Sequence, residues 1–118
     1  YHRCDVVRSE RHVVVRVGDE VVASSHRPYV LFETGLPPRY YLPKVDVRMD
    51  LLETSEKVTH CPYKGFTEYW SVRTGDVLHE DAAWSYRHPL PESMRIAGLV
   101  CFDPRRVDVV VDGVPEPR

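Results

Sequence analysis

Residues 12–24 read HVVVRVGDEVVAS, and this stretch decides the fold class. Valines at positions 13, 14, 15 and 17 precede Gly18-Asp19, and Val21 and Val22 follow. β-Branched side chains are stiff at χ1 and suit a pleated surface better than a helix. Glycine at the first central position of a two-residue turn takes a positive φ without a Cβ clash, so Gly18-Asp19 joins two antiparallel strands. The same chemistry returns at Thr74-Gly75-Asp76-Val77.

Outward from this hairpin, other β-branched runs are closed by turn residues: YVLFETG, YYLPKVDVRMDLLE, KVTHCPY, EYWSVRTGDVLHEDAAWSY, IAGLVCFDP and RVDVVVDGV. Each reads as a strand or a hairpin. No window keeps apolar residues at helical spacing over three turns, and the 10 prolines are spread where they would break helices. A short helical turn near residues 37–47 or around Glu92 to Met94 is the most helix expected. The fold class is therefore all-β and antiparallel, and 118 residues make one domain.

The chain also echoes itself. The V-R-x-G-D core at Val15 recurs 57 residues later at Val72, and YLPKVDV from Tyr41 is echoed by FDPRRVDV from Phe102. A duplication into two pseudo-repeated halves, residues 12–58 and 59–114, accounts for both matches in order. Hairpin chemistry reused independently accounts for them equally well. A duplication predicts a cleft between the halves, a common place for ligands.

Composition narrows the function classes. The net charge is −2 with acids and bases interleaved, which offers no basic stripe for a phosphate backbone, so nucleic acid is not an expected partner. No apolar run approaches the roughly 20 residues of a spanning helix, so no membrane is expected to be crossed. The first residues lack an apolar segment followed by small residues, which leads to the expectation of a cytoplasmic protein. Cys4, Cys61 and Cys101 form no C-x-x-C pair, so reduced thiols are expected rather than a disulfide framework or a zinc knot. No phosphate-binding loop, dinucleotide fingerprint or nucleophile elbow occurs, and no metal or cofactor is expected.

Three segments stand apart from the strand texture. FETGLPPRYYLP offers Glu33, Arg39, Tyr40 and Tyr41 beside a loop stiffened by two prolines, which lower the cost of ordering it. Arg39 presents a fork suited to a carboxylate or phosphate; an ion pair from Arg39 to Glu33 that braces the loop is the alternative. Adjacent residues on a strand point to opposite faces, so only one of Tyr40 and Tyr41 faces a given pocket. THCPYKGFTEYWSV places Cys61, Tyr63 and Lys64 at a tight turn. Cys61 is a candidate nucleophile if His60 or Lys64 lowers its pKa, although His60 is badly placed as a strand neighbour; a structural thiol is the other reading. Lys64 suits an anion anchor or a reactive amine. EDAAWSY carries Glu80 and Asp81, and it sets Trp84 and Tyr86 two apart, on one face of a strand, as an aromatic wall.

Taken in order, ETGLPPRYYLP, CPYKG, YWSV, AAWSY, IAG and V-x-VDG resemble a mainly bacterial family known as domain of unknown function 427. The resemblance runs from about Val13 to Val114. It implies a β-tent fold. A nucleotidyltransferase-like label is attached to the family, but the paired acids and Gly-Ser loop that hold magnesium and triphosphate in such enzymes have no counterpart here. Other β-tent families bind zinc through paired C-x-x-C motifs, which this chain lacks.

The resulting expectation is a small-molecule site for an anionic, aromatic-bodied ligand, lined by Glu33, Arg39, Tyr41, Tyr63, Lys64, Trp84 and Tyr86, with Cys61 at its edge. The alternatives are an enzyme that uses Cys61 or Lys64 with Glu33 in the same cavity, and a structural or interaction module. A monomer or small homo-oligomer is expected.

Overall fold

The first strand, β1 (Cys4–Arg8), precedes the valine-rich stretch, which forms β2 (Val13–Val17) and β3 (Glu20–Ser25). Gly18 takes φ 60° at the turn between them, the conformation its lack of a Cβ permits. Then come β4 (Tyr29–Glu33), β5 (Arg39–Leu42) and β6 (Leu52–Cys61). The chain continues through β7 (Gly65–Thr74), β8 (Val77–Arg87), β9 (Val100–Phe102), β10 (Asp108–Val111) and β11 (Val114–Pro115). This computed structural model describes residues 3–61, 65–87 and 91–118, with the backbone alone for Cys61 and residues 91–93.

The strands form two antiparallel sheets, one of seven strands in the order β1-β4-β5-β9-β8-β7-β6 and one of four in the order β11-β10-β2-β3. Among the described residues the helical elements are short 3-10 turns, at Lys44–Asp46, Met49–Leu51 and Pro91–Ile96. The all-β, antiparallel reading therefore holds.

Side chains alternate across each strand, so the large sheet has an inward and an outward face. Inward, Tyr40, Leu42, Trp70, Val72, Ala83, Val100 and Phe102 meet Val13, Val15, Val22 and Val109 of the small sheet in the main core. Outward, Leu31, Tyr41, Tyr86 and Cys101 form a second cluster, closed by Ile96 from the 3-10 turn at Pro91–Ile96. Ile96 is fully buried, although its turn lies on the outside of the large sheet. Burial at about 25 cal/mol per Å² of apolar surface is what holds that turn down.

Three details differ from the sequence reading. The run YYLPKVDVRMDLLE is not one strand: β5 stops at Leu42, and two 3-10 turns intervene before β6. Pro43 has no N–H for a ladder, and Asp46 in the first turn is held by Ser25 Oγ at 2.8 Å and by a two-pronged Arg27 at 3.1 Å. Second, β1 was not foreseen. It pairs with β4 from Cys4↔Glu33 to Arg8↔Tyr29 and forms one edge of the large sheet. Third, the end of YYLPKVDVRMDLLE and the run KVTHCPY are not separate strands but join in one, β6 (Leu52–Cys61). The two V-R-x-G-D hairpins both form but lie in different sheets, and the boundary between residues 58 and 59 falls within β6.

Candidate functional site

The outward face of the large sheet gathers most of the sequence candidates. The register pairs Leu31↔Arg39, Tyr41↔Cys101 and Trp84↔Cys101, and Cys4↔Glu33 lies on the same face. Glu33, Arg39, Tyr41, Trp84 and Tyr86 thereby share one recess of about 160 Å³ with Leu31, Leu36 and Pro37. The pair Leu36-Pro37 belongs to the loop between β4 and β5, so the Pro-stiffened segment forms the rim. Larger hollows of about 460 Å³ beside Val58 and Phe66, and of about 630 Å³ beside Arg8 and Arg27, are more open depressions that gather none of these candidates.

The floor of the recess is an aromatic network. Trp84 Nε1 donates to Tyr41 Oη at 3.0 Å, and the Tyr41 and Tyr86 rings lie 6.2 Å apart. Tyr41 is 1% exposed. Burial, with the neighbouring Cys101 and Tyr86, pushes its phenol well above the usual tyrosine range, while the Trp84 hydrogen bond pulls slightly the other way. Tyr41 therefore stays protonated, its hydroxyl accepting from Trp84 beneath the recess. Tyr40, its neighbour, faces the inter-sheet core, where Arg11 Nη1 donates to its hydroxyl at 3.1 Å. The alternation argument thus separates the two tyrosines, with Tyr41 on the recess side.

Arg39 is half-buried at the rim. Among the described residues its guanidinium makes no hydrogen bond or ion pair, and the bracing pair with Glu33 is not formed. Its nearest electrostatic influence is on Asp103, at the end of β9. Asp103 is buried and is clamped by Arg105, whose Nε and Nη2 donate at 3.1 and 3.0 Å while the Arg105 backbone N–H donates at 2.9 Å. Burial pushes the Asp103 carboxyl up, but these hydrogen bonds and the charges of Arg105 and Arg39 hold it below the usual aspartate value. Asp103 is thus hydrogen-bonded by Arg105 and not by Arg39, which lines the recess beside Tyr41 and Trp84.

The strip extends sideways beyond the recess. Tyr69 on β7 lies opposite Trp84 in the ladder, with ring centroids 6.4 Å apart, and Lys57 Nζ sits 4.5 Å above the Tyr69 ring. Thr59 Oγ1 is 3.1 Å from Tyr69 Oη. Sequence reasoning did not assign Tyr69, Lys57, Asp103 or Arg105 to the site. Tyr69 could have been found only by knowing the β7–β8 register. Lys57 lies within the irregular stretch of β6 between Thr54 and Val58, where alternation fails.

Tyr63 and Lys64 lie outside the described residues, as does the Cys61 side chain. Glu80 and Asp81 stand away from the recess. Asp81 takes φ 51° and is tied to Ser55 Oγ at 2.5 Å and to Ser71 Oγ through its backbone N–H at 3.1 Å, which fixes an irregularity in β8. Among the described residues no group of three or more His, Cys, Asp or Glu side chains is arranged to hold a metal ion. No helix is long and apolar enough to cross a membrane.

A family model described as Domain of unknown function (DUF427) matches residues 5–113. None of the curated proteins matches the chain.

Proposed function

The chain belongs to the DUF427 family, whose description carries no activity, and we propose from the geometry that it binds an anionic small molecule with a flat apolar body on the outer face of its large sheet. The observation that supports this reading is Arg39, whose guanidinium makes no hydrogen bond or close ion pair among the described residues and which lines one recess with Tyr41, Trp84 and Tyr86. A half-buried arginine normally finds a carboxylate within its own chain, because desolvating a charge without pairing it is costly. Here Asp103 is satisfied by Arg105 instead. A planar fork beside aromatic walls suits a carboxylate or phosphate attached to a ring, with bidentate hydrogen bonds for the anion and stacking for the ring. Glu33, which also lines the recess, is an acceptor for a donor group of the ligand. Tyr41 holds the Trp84 indole in place from below.

A thermal-shift screen against a metabolite collection rich in phosphates and carboxylates tests the reading. A ligand that binds only the folded state raises its melting temperature in proportion to the logarithm of concentration over Kd. The expected result is a hit whose shift is lost in Arg39→Ala while the variant melts like the wild type in buffer. Hits unaffected by Arg39→Ala would move binding away from this recess. Silence across the collection, with both proteins folded, would count against a metabolite site.

A further inference from the structure

Resting on that reading, we infer that the recess is one half of a longer site, and that the ligand is an elongated dianion with acidic groups at both ends of an aromatic body. The second half is built by Tyr69, Lys57 and Thr59. Along the large sheet the order β5-β9-β8-β7-β6 places Arg39 on one strand and Lys57 four strand spacings away. At about 4.8 Å each, that is roughly 19 Å of backbone separation. Lys57 shortens that span by reaching back over the β7 ring, with Nζ 4.5 Å from the Tyr69 centroid.

Between the cations the Trp84 and Tyr69 rings are neighbours, with Tyr41 buried beneath Trp84. Tyr41 accepts from Trp84, and Trp84 faces Tyr69 at 6.4 Å with planes tilted by 53°. Trp84 and Tyr69 are both half-buried, so each keeps ring surface for a guest. At the far end Lys57 Nζ stands 4.5 Å from the Tyr69 ring centroid, and Thr59 Oγ1 lies 3.1 Å from Tyr69 Oη, so an ammonium and two hydroxyls border the same ring and are suited to a second carboxylate or phosphate. Arg105 also lies close enough for Tyr69 and Arg105 to influence one another electrostatically, and by neutralising Asp103 it removes the buried carboxylate that would repel an anion along the strip. A one-ended anion would leave Lys57 with no role on this face beyond covering Tyr69.

The test compares biphenyl monocarboxylate with para,para′-biphenyl dicarboxylate by isothermal titration at low salt. The dianion is expected to bind roughly fivefold tighter, the scale of one additional exposed ion pair, and the advantage should shrink as salt is added. Lys57→Ala should erase that advantage, so that the two compounds bind the variant with equal affinity; Lys57→Arg should restore it. Arg39→Ala should weaken both compounds. If both compounds bind through Arg39 with equal affinity, the extension is wrong and the recess reading survives. If the advantage persists in Lys57→Ala, the second acid is held elsewhere and the extension is likewise wrong. If neither compound binds, both the extension and the recess reading fall for ligands of this class.

Discussion

Asp103 shows how one buried carboxylate arranges its neighbours. Its folded pKa is held below the ordinary value of 3.8, despite burial, by the Arg105 hydrogen bonds and the charges of Arg105 and Arg39. A carboxyl depressed by folding stabilises the native state above its unfolded pKa, and that contribution disappears as pH falls through the folded value. Asp103→Asn should therefore cost about 1–2 kcal/mol at neutral pH, and the gap to wild type should close as pH drops below 3.8. Urea titrations at a series of pH values measure this; a gap that stays constant into acid would place the effect in packing instead of charge. Tyr41→Phe removes the acceptor of Trp84 Nε1 and should cost about 1–2 kcal/mol by leaving a half-buried N–H without its partner. At this scale the sequence was informative about residue type and less so about partners. That Trp84 and Tyr86 share a face was legible from their two-residue spacing, whereas alternation alone left open which of Tyr40 and Tyr41 faces outward. The Arg105 clamp on Asp103 was not, because it forms in the turn after β9, where no periodicity operates.

Among the elements, the Gly-Asp hairpins were the most legible feature, since both depend on local stereochemistry. Gly75 takes φ 59° with open space around a would-be Cβ, so Gly75→Ala isolates the backbone cost from any clash. A left-handed alanine costs roughly 1–2 kcal/mol. The substitution should lower the unfolding free energy by that amount, with a corresponding fall in melting temperature, and leave ligand binding intact, because the turn lies at the far end of β7 and β8 from Trp84 and Tyr69. No loss of stability would mean that the turn relaxes to another type. One element escaped sequence reading, and another was read only as a short turn near residues 37–47, each for a physical reason. The short edge strand β1 has only Val6 and Val7 between charged residues, and its pairing to β4 is a long-range event. The break after Leu42 follows from Pro43 together with the Arg27–Asp46 pair, of which only the proline is visible locally.

The whole molecule is two sheets around one core, with a second, smaller apolar cluster on the outside of the larger sheet. That second cluster is what makes a recess available: Ile96 seals one part of the outer face, and Tyr41, Trp84 and Arg39 border the part left open. Ile96→Ala should cost about 2–5 kcal/mol, as for other large-to-small changes at fully buried positions. It should also loosen the aromatic floor, so melting temperature and ligand affinity fall together. Antiparallel class and the presence of an outward aromatic wall were readable in advance, because both are properties of strands taken singly or in adjacent pairs. The strand order that places Tyr69 and Lys57 beyond Trp84 was not, since it depends on which strands meet across the full chain.

The two tryptophans supply an internal control for the central claim, because Trp70 belongs to the inter-sheet core and Trp84 to the outer face. The decisive measurement is a titration of nitrogen-15-labelled protein with biphenyl monocarboxylate, following the indole N–H signals of both tryptophans and the Nε–H signal of Arg39. Binding in the recess predicts that the Trp84 and Arg39 signals move together and saturate at one Kd while Trp70 stays in place. Signals that do not move, or that drift without saturation and in step with Trp70, would contradict a ligand site on the outer face of this sheet.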